Sequence, residues 1–357
     1  MKKIAIVISD VNQCGGTERT VISVANYLSS KGYQVQFISL FSNDGDIPFF
    51  DIENNIKIMH LGISSYSNGS IIKKIIGWSK SLFKFRGALK LNRTDLIIGT
   101  SRNTNFLSVI FKTKNQKIIG CEHFAYNVPM NEILRKIRNF TYKRLNRLVV
   151  LTEKDRSYYS KKGILTDIIP NALPFLSNYA THKEKLAIAI GRHTDQKAFD
   201  ELITIWKSIE ENTSEWQLYI IGEGPLKNQN MSVAKQLKCK RIKFLPFTKQ
   251  IGDLYNSASI YLMTSIYEAF PMVLIEAKNH GCVCISYDCD TGPSEIIKHN
   301  DGIIIPNRDR SLFIKQLTDV MNDDTILSKM SKQARLNSME YTKDEIYPKW
   351  ISLINQL

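Results

Sequence analysis

The sequence predicts an α/β fold of two parallel-sheet domains, and three observations predict it. At 357 residues the chain is long enough for two domains, each with its own core. Short β-rich apolar runs alternate with stretches of helical period, the pattern of a parallel sheet covered on both faces. That alternation occurs twice, and "IIPNALPFLSNYATHKEK" at 168–185 interrupts it between the halves with two prolines and polar residues.

The elements follow in order. "KIAIVIS" at 3–9 is an apolar run of buried-strand type. "GTERTVISVANYLSSKG" has helical spacing, with Val21, Val24, Ala25 and Leu28 recurring at three and four. Gly32 ends that helix, and "YQVQFISLF" is the next strand. "DLIIGT", "KIIGCEH" and "RLVVLTE" read as further strands of the first half. In the second half "LAIAIGR", "WQLYIIGEGP", "RIKFLPF", "IYLMTS", "VCISYD" and "GIIIP" are strands. "DELITIWKSIEEN" and "KNQNMSVAKQLK" are helices between them. The expected division is a domain at 1–172, a hinge at 173–185 and a domain at 186–340. A last helix occupies 341–357, and a return to the first domain is one option for it.

Composition narrows the class. Hydrophobic residues make up 43% and charged residues 23%, ordinary for a globular protein. No apolar run approaches the ~20 residues of a membrane span. The opening apolar run is too short for a signal peptide and stops at Asp10, so the expected address is cytoplasmic. None of the six cysteines forms a C-x-x-C pair, so buried free thiols are expected. The net charge of +14 is uneven: residues 1–180 hold 26 Lys and Arg against 12 Asp and Glu, whereas the remainder holds 22 of each. A basic half suits a polyanion, either nucleic acid or an anionic membrane surface. No helix-turn-helix, RNA-binding or zinc-finger pattern is present, so nucleic acid is not expected.

Ligands of parallel sheets lie at the carboxyl ends of strands. The residues there are Gly15–Gly16, Thr100–Ser101, Glu122–His123, Gly191–Arg192, Gly222–Gly224 and Ser265–Glu268. In "SIYEAFPMVLIEAKNHG" a helix is expected to begin near Pro271, with Gly281 closing it. The first turn of that helix offers free N–H groups and a positive dipole end to an anion. Glu268 precedes it and Glu276 lies inside it, so a ligand with hydroxyls at both ends and phosphates between would meet both carboxylates. Arg192 and Lys197 in "GRHTDQKAF" would stabilise a departing diphosphate. "CGGTER" lets backbone approach a ligand but is not the G-x-G-x-x-G fingerprint of dinucleotide sites. His123 reads either as a hydrogen-bonded core histidine or as a ligand contact. Gly222 and Gly224 either turn the chain or approach a nucleotide. "DCD" at 288–290 reads as a loop without a catalytic metal, with Gly292 and Ser294 near a possible donor.

Together these motifs resemble the retaining glycosyltransferases of family four, which have the GT-B fold of two Rossmann-like domains facing across a cleft. "GGTER", "EH", "GR" with a downstream Lys, and the paired glutamates of "EAFPMVLIEA" carry the resemblance, with "IPNAL" at the hinge. It implies that Glu268 holds donor-sugar hydroxyls and Glu276 the ribose. Arg192 and Lys197 would hold the diphosphate, Gly15 and Gly16 would lie against phosphate or sugar, and His123 would face donor sugar or acceptor. The backbone at Phe270, Met272 and Val273 would lie near donor groups. The resemblance further implies catalysis without metal or cofactor, with retained configuration. The expected donor is a nucleotide diphosphate sugar, UDP-linked, carrying a hexose or N-acetylhexosamine. The expected acceptor is a lipid-linked glycan of bacterial surface polysaccharide, such as capsule or lipopolysaccharide. The rival readings are a GT-B-like epimerase or phosphorylase, and a non-catalytic nucleotide-sugar-binding subunit.

Two basic segments fit peripheral docking on the inner face of the cell membrane. Residues 70–93 set Ile71, Ile75, Trp78, Leu82, Phe85 and Leu89 opposite Lys73, Lys80 and Lys84. Residues 131–147 add Arg135, Lys136, Arg138, Lys143, Arg144 and Arg147. Each cation near an anionic surface contributes roughly 1 kcal/mol. The alternative is that both helices pack on the first sheet and their charges are only solvated.

Overall fold

Two separate all-parallel sheets form from the two halves of the chain. The structure, a computed structural model, describes residues 2–63, 83–89, 94–177, 183–248, 250–298 and 300–357. Unit 1 comprises Met1–Pro174 with Ile346–Leu357, and unit 2 comprises Phe175–Glu345.

Unit 1 runs β1 (Lys3–Ile8), α1 (Gly16–Ser30), β2 (Gln34–Ser39), β3 (Lys57–His60), α2 (83–89), β4 (Leu96–Gly99) and α3 (Arg102–Phe111). It continues with β5 (Lys117–Cys121), α4 (Glu132–Tyr142), β6 (Arg147–Val150), α5 (Glu153–Ser160) and β7 (Thr166–Ile168). Its sheet order is β3-β2-β1-β4-β5-β6-β7. The register Ile4↔Val35 and Ile4↔Leu96 puts β1 at the centre. Alternate β1 residues serve two cores: Ile4, Ile6 and Ile8 face α1, while Ala5 and Val7 join Phe85, Leu89 and Tyr142 on the other face. The edge strands β3 and β7 are four and three residues long and only partly buried. A half-exposed edge gives a weak apolar signature, so neither is visible in the sequence pattern.

Unit 2 runs β8 (Glu184–Ile190), α6 (Phe199–Asn212), β9 (Gln217–Ile221), α7 (Lys227–Gln236), β10 (Ile242–Leu245), α8 (Ile251–Ser257) and β11 (Ala258–Met263). It continues with α9 (Met272–Asn279), β12 (Val283–Tyr287), α10 (Pro293–Ile296), β13 (Gly302–Ile305), α11 (Arg310–Met321) and α12 (Asp324–Ser338). The sheet order β10-β9-β8-β11-β12-β13 reverses direction between β8 and β11. That reversal is the topological switch point, where loops diverge and open a crevice at the strand ends. In unit 1 the corresponding point lies between β1 and β4.

The last helix, α13 (Lys343–Asn355), carries its buried residues Tyr347, Trp350, Leu353 and Ile354 into the α1 side of the unit 1 core. Tyr347 Oη lies 2.6 Å from Ser23 Oγ, and Lys2 Nζ donates to Ile354 O at 2.6 Å. Side chains of this size each gain about 1.5–3 kcal/mol on burial, which offsets part of the chain entropy lost in ordering the segment.

Candidate functional site

Unit 2 gathers the predicted cations and carboxylates at its switch point. The β8 strand ends at Ile190, and Gly191–Lys197 follow it; β11 ends at Met263, and the loop to α9 carries Glu268. Lys197 Nζ donates to Glu268 Oε1 at 2.6 Å, with both side chains largely buried. The loops that carry them are joined along their length. Thr264 Oγ1 bonds the carbonyls of Lys197 and Ala198, each at 3.0 Å. Gln196 Nε2 donates to Tyr267 O at 2.9 Å, and Ile266 N to Gln196 O at 2.8 Å. Arg192 is exposed, and its guanidinium makes no hydrogen bond or ion pair among the described residues. One cation is therefore held and one is free.

The helix expected near Pro271 starts one residue later: Pro271 is the N-cap of α9 and Met272 the first helical residue. Gly281, at φ +75°, leads the chain away beyond its end. Met272 and Val273 thus supply the first two helical N–H groups, which have no partner within a helix. The Phe270 ring is turned inward, 5.7 Å from Tyr341, so only its backbone is offered to a ligand. Glu276, the fifth residue of α9, is 6% exposed and accepts from Tyr255 Oη at 3.2 Å. Burial and then the Glu276 charge push the Tyr255 phenol well up, so it stays a neutral donor.

Gly222 and Gly224 serve close backbone packing. A Cβ on Gly222 would sit 2.0 Å from Gly191 O, and one on Gly224 2.5 Å from His193 O. The β8 and β9 loops touch there directly, and buried His193 bonds Asn230 at 2.9 Å behind them. Gly292, at φ +96°, likewise packs on Pro271, while Ser294 is exposed on α10. Thr291 Oγ1 donates to Glu268 O at 2.6 Å. In the Asp288–Asp290 loop Cys289 turns inward to Ser265 O at 3.2 Å. No group of three or more His, Cys, Asp or Glu suited to a metal occurs among the described residues. All six cysteines are free, but Cys14 is exposed and Cys239 only partly buried, against the expectation of buried thiols.

In unit 1, His123 follows β5. Its residue is partly accessible, but neither ring nitrogen is, and neither has a partner among the described residues. Burial pulls the imidazole down to about 4, so it is neutral near pH 7. It is thus not a hydrogen-bonded core histidine among the described residues. It borders a cavity of about 20 Å³ with Thr100, Asn171 and Trp350. Its neighbour Glu122 is 3% exposed and anchors the loop: it accepts from Arg102 Nε and Tyr142 Oη at 2.9 Å, Tyr159 Oη at 3.3 Å and Phe124 N at 3.1 Å.

The glycine motif is built differently from the expectation. Gly15 caps α1, and a Cβ there would lie 2.2 Å from Glu18 Oε2, so Glu18 folds its own carboxylate over the helix start. Burial, and secondarily Asp10, raise the Glu18 carboxyl. Gly16 has open space around it.

The basic segments also need correction. Ile71, Lys73, Ile75, Trp78, Lys80 and Leu82 lie outside the described residues. Phe85 and Leu89 are core, and Lys84 donates to Leu61 O at 3.0 Å. On α4, Arg138 is buried, bonding Tyr126 O at 3.1 Å and stacking on the Tyr126 ring. Arg147 lies 3.8 Å from Asp167. What α4 turns outward is apolar as well as basic: Ile133, Leu134, Ile137 and Phe140 are exposed beside Lys136, Lys143 and Arg144. No helix among the described residues is long and apolar enough to cross a membrane.

Comparison with known proteins places this geometry. The family described as Glycosyl transferases group 1 matches residues 177–337, and Glycosyltransferase Family 4 matches residues 14–174. The amylovoran biosynthesis glycosyltransferase of Erwinia amylovora is 30% identical, over 99% of this chain and all of its own length. The chain belongs to glycosyltransferase family four. Another family-four relative, an alpha-1,4-N-acetyl-D-galactosaminyltransferase of Campylobacter jejuni named for a PP-undecaprenol-linked saccharide, is 27% identical over all of this chain and 99% of its own. The Anabaena HepE structure with UDP and glucose superposes with TM-score 0.78 at 15% identity, over the whole of both chains, and shares the GT-B fold.

Several family-four site neighbours escaped the motif reading. Thr264, Gln196 and Tyr255 act through hydrogen bonds to groups far away in sequence, and no local pattern marks such bonds. Glu18 was within reach: "GGTER" puts a carboxylate at the third helical position, where it can fold back on its own helix start.

Proposed function

We propose that this glycosyltransferase moves a hexose or N-acetylhexosamine from a UDP-sugar to a hydroxyl of a lipid-linked glycan, with retention and without a metal, in bacterial surface-polysaccharide assembly. The observation that carries the reading is the Lys197–Glu268 pair beside unpaired Arg192 at the β8/β11 switch point. A diphosphate supplies the anion that Arg192 and Lys197 face. Donor-sugar hydroxyls supply donors to Glu268, and ribose hydroxyls meet Glu276 on α9. The unoccupied N–H groups of Met272 and Val273 add a fixed positive end. As the C1–O bond to the diphosphate breaks, charge grows on the leaving oxygens, where Arg192 and Lys197 stabilise it. The acceptor oxygen forms the new C1 bond on the same face, and its proton passes to the departing phosphate oxygen.

The relatives support the substrate classes. The Anabaena protein is named with UDP and glucose, and the Campylobacter protein with an undecaprenyl-linked acceptor and an alpha product. An alpha product from an alpha-linked nucleotide sugar is retention. For the membrane, the exposed apolar residues of α4 are flanked by cations, the composition of an interfacial helix. This composition supports a peripheral position on an anionic cytoplasmic leaflet.

The test is to incubate the enzyme in EDTA with UDP-sugars and a diphosphate-lipid saccharide, then read the new anomeric coupling by NMR. An alpha-linked product is expected. A beta linkage, a requirement for added metal, or sugar release only with inorganic phosphate would overturn the reading.

A further inference from the structure

The loop that carries Glu268 is held from behind by a residue in an unfavourable backbone conformation. Pairing of β11 with β12 ends at Met263↔Ser286, so the next two carbonyls, of Thr264 and Ser265, have left the ladder. Both residues are 1% exposed, and buried carbonyls require a donor. Arg308 Nη1 supplies it, at 3.0 Å to each oxygen. The guanidinium lies 4.6 Å over the Tyr287 ring, whose hydroxyl donates to Glu201 at 2.8 Å. Arg308 and the preceding Asn307 follow β13 with φ of +54° and +52°. Asparagine tolerates the left-handed region and glycine occupies it freely, whereas arginine is disfavoured there. Backbone preference alone would put glycine at 308, so what the position retains is the side chain and its two bonds.

We infer that Arg308 is a positioning residue for Glu268. It fixes the stem of the 264–271 loop from one side, while Thr264 Oγ1 ties the same stem to the Lys197 and Ala198 carbonyls on the other. The stem is therefore the spacer that sets the Lys197–Glu268 separation. This inference rests on the proposed role of Glu268 in holding the donor sugar.

The full chain serves for the test. Melting temperature without ligand and dissociation constants for UDP and for a UDP-sugar are measured for wild type, Arg308→Gly, Arg308→Lys and Glu268→Gln. The UDP-sugar is the tightest of UDP-glucose, UDP-galactose, UDP-N-acetylglucosamine and UDP-N-acetylgalactosamine. Arg308→Gly relieves the backbone but takes the guanidinium donor from two buried carbonyls, so its melting temperature is expected to fall only modestly. Its UDP-sugar affinity is expected to fall about tenfold while UDP affinity stays within about threefold. Arg308→Lys is expected to recover part of the loss, because an ammonium reaches one of the two carbonyls. If Glu268→Gln loses UDP-sugar affinity but Arg308→Gly does not, the positioning role is wrong and the donor reading stands. If Arg308→Gly weakens UDP and UDP-sugar alike and also lowers the melting temperature steeply, Arg308 is only structural. Unchanged UDP-sugar affinity in Glu268→Gln would overturn the donor reading and this inference together.

Discussion

Glu268 and His123 show what a single side chain contributes here. Glu268 pairs with Lys197 at 2.6 Å, and in the proposed function it accepts from sugar hydroxyls. Glu268→Gln leaves the shape intact but removes the charge, and a hydrogen bond to a charged group is worth about 1.5–3 kcal/mol. Transfer rates measured at saturating acceptor should fall roughly 10- to 100-fold; an unchanged rate would remove Glu268 from the site. His123 makes a pH prediction. Its ordinary value of 6.5 drops to about 4 on folding, so between those values the unfolded chain binds the extra proton. Stability is therefore complete above pH 6.5 and declines as pH falls toward 4, by about 3 kcal/mol at most. His123→Phe should flatten that part of the denaturation profile, and an identical slope in both proteins would refute the burial account. Both residues were legible in sequence because each lies on a loop that follows a strand. The contact that holds Glu268 was not: Lys197 reaches it across 71 positions.

At the scale of elements, glycines and buried pairs fix how loops meet. The β8 and β9 loops approach so closely that Gly224→Ala would place a Cβ 2.5 Å from His193 O at φ +152°. A loss of about 2 kcal/mol or more is expected in urea unfolding, since overpacking and φ strain add; an unaffected midpoint would show that the loops can part. Behind the donor helix α9, Lys278 Nζ lies 2.8 Å from Asp301 Oδ2 with both side chains fully buried, and Asn337 adds a 2.6 Å bond to the same oxygen. Removing one member leaves an uncompensated charge, so Lys278→Met should cost about 3–5 kcal/mol in the same unfolding measurement. The strand centres were legible because buried parallel strands are continuous apolar runs. The edges β3 and β7 were not, since partly exposed strands of four and three residues carry no such run. In α4 the charges are legible in the sequence but their directions are not. Arg138 reads as a surface cation, yet it closes a buried stack with Tyr126 and Tyr159.

At the scale of the molecule, the basic excess of the first 180 residues and the outward face of α4 belong to one argument about location. On the proposed membrane docking, Coulomb attraction to anionic lipid would bring the surface close, and Ile137 and Phe140 would then gain by leaving water. Liposome flotation should show binding that rises with anionic lipid, weakens in salt and drops in Ile137→Glu/Phe140→Glu. Both positions are exposed, so that variant should keep its fold. Salt-indifferent binding would contradict the electrostatic part. The family was readable from order and spacing, because a donor with two polar ends and a charged middle needs cations after one strand and paired carboxylates around one helix start. The most direct test of that arrangement is calorimetric titration of UDP, in EDTA, into wild type and Arg192→Ala/Lys197→Ala. With two cations on the diphosphate, the double variant should bind UDP at least about 100-fold more weakly. Affinity within twofold of wild type would mean that the diphosphate does not lie where β8 ends.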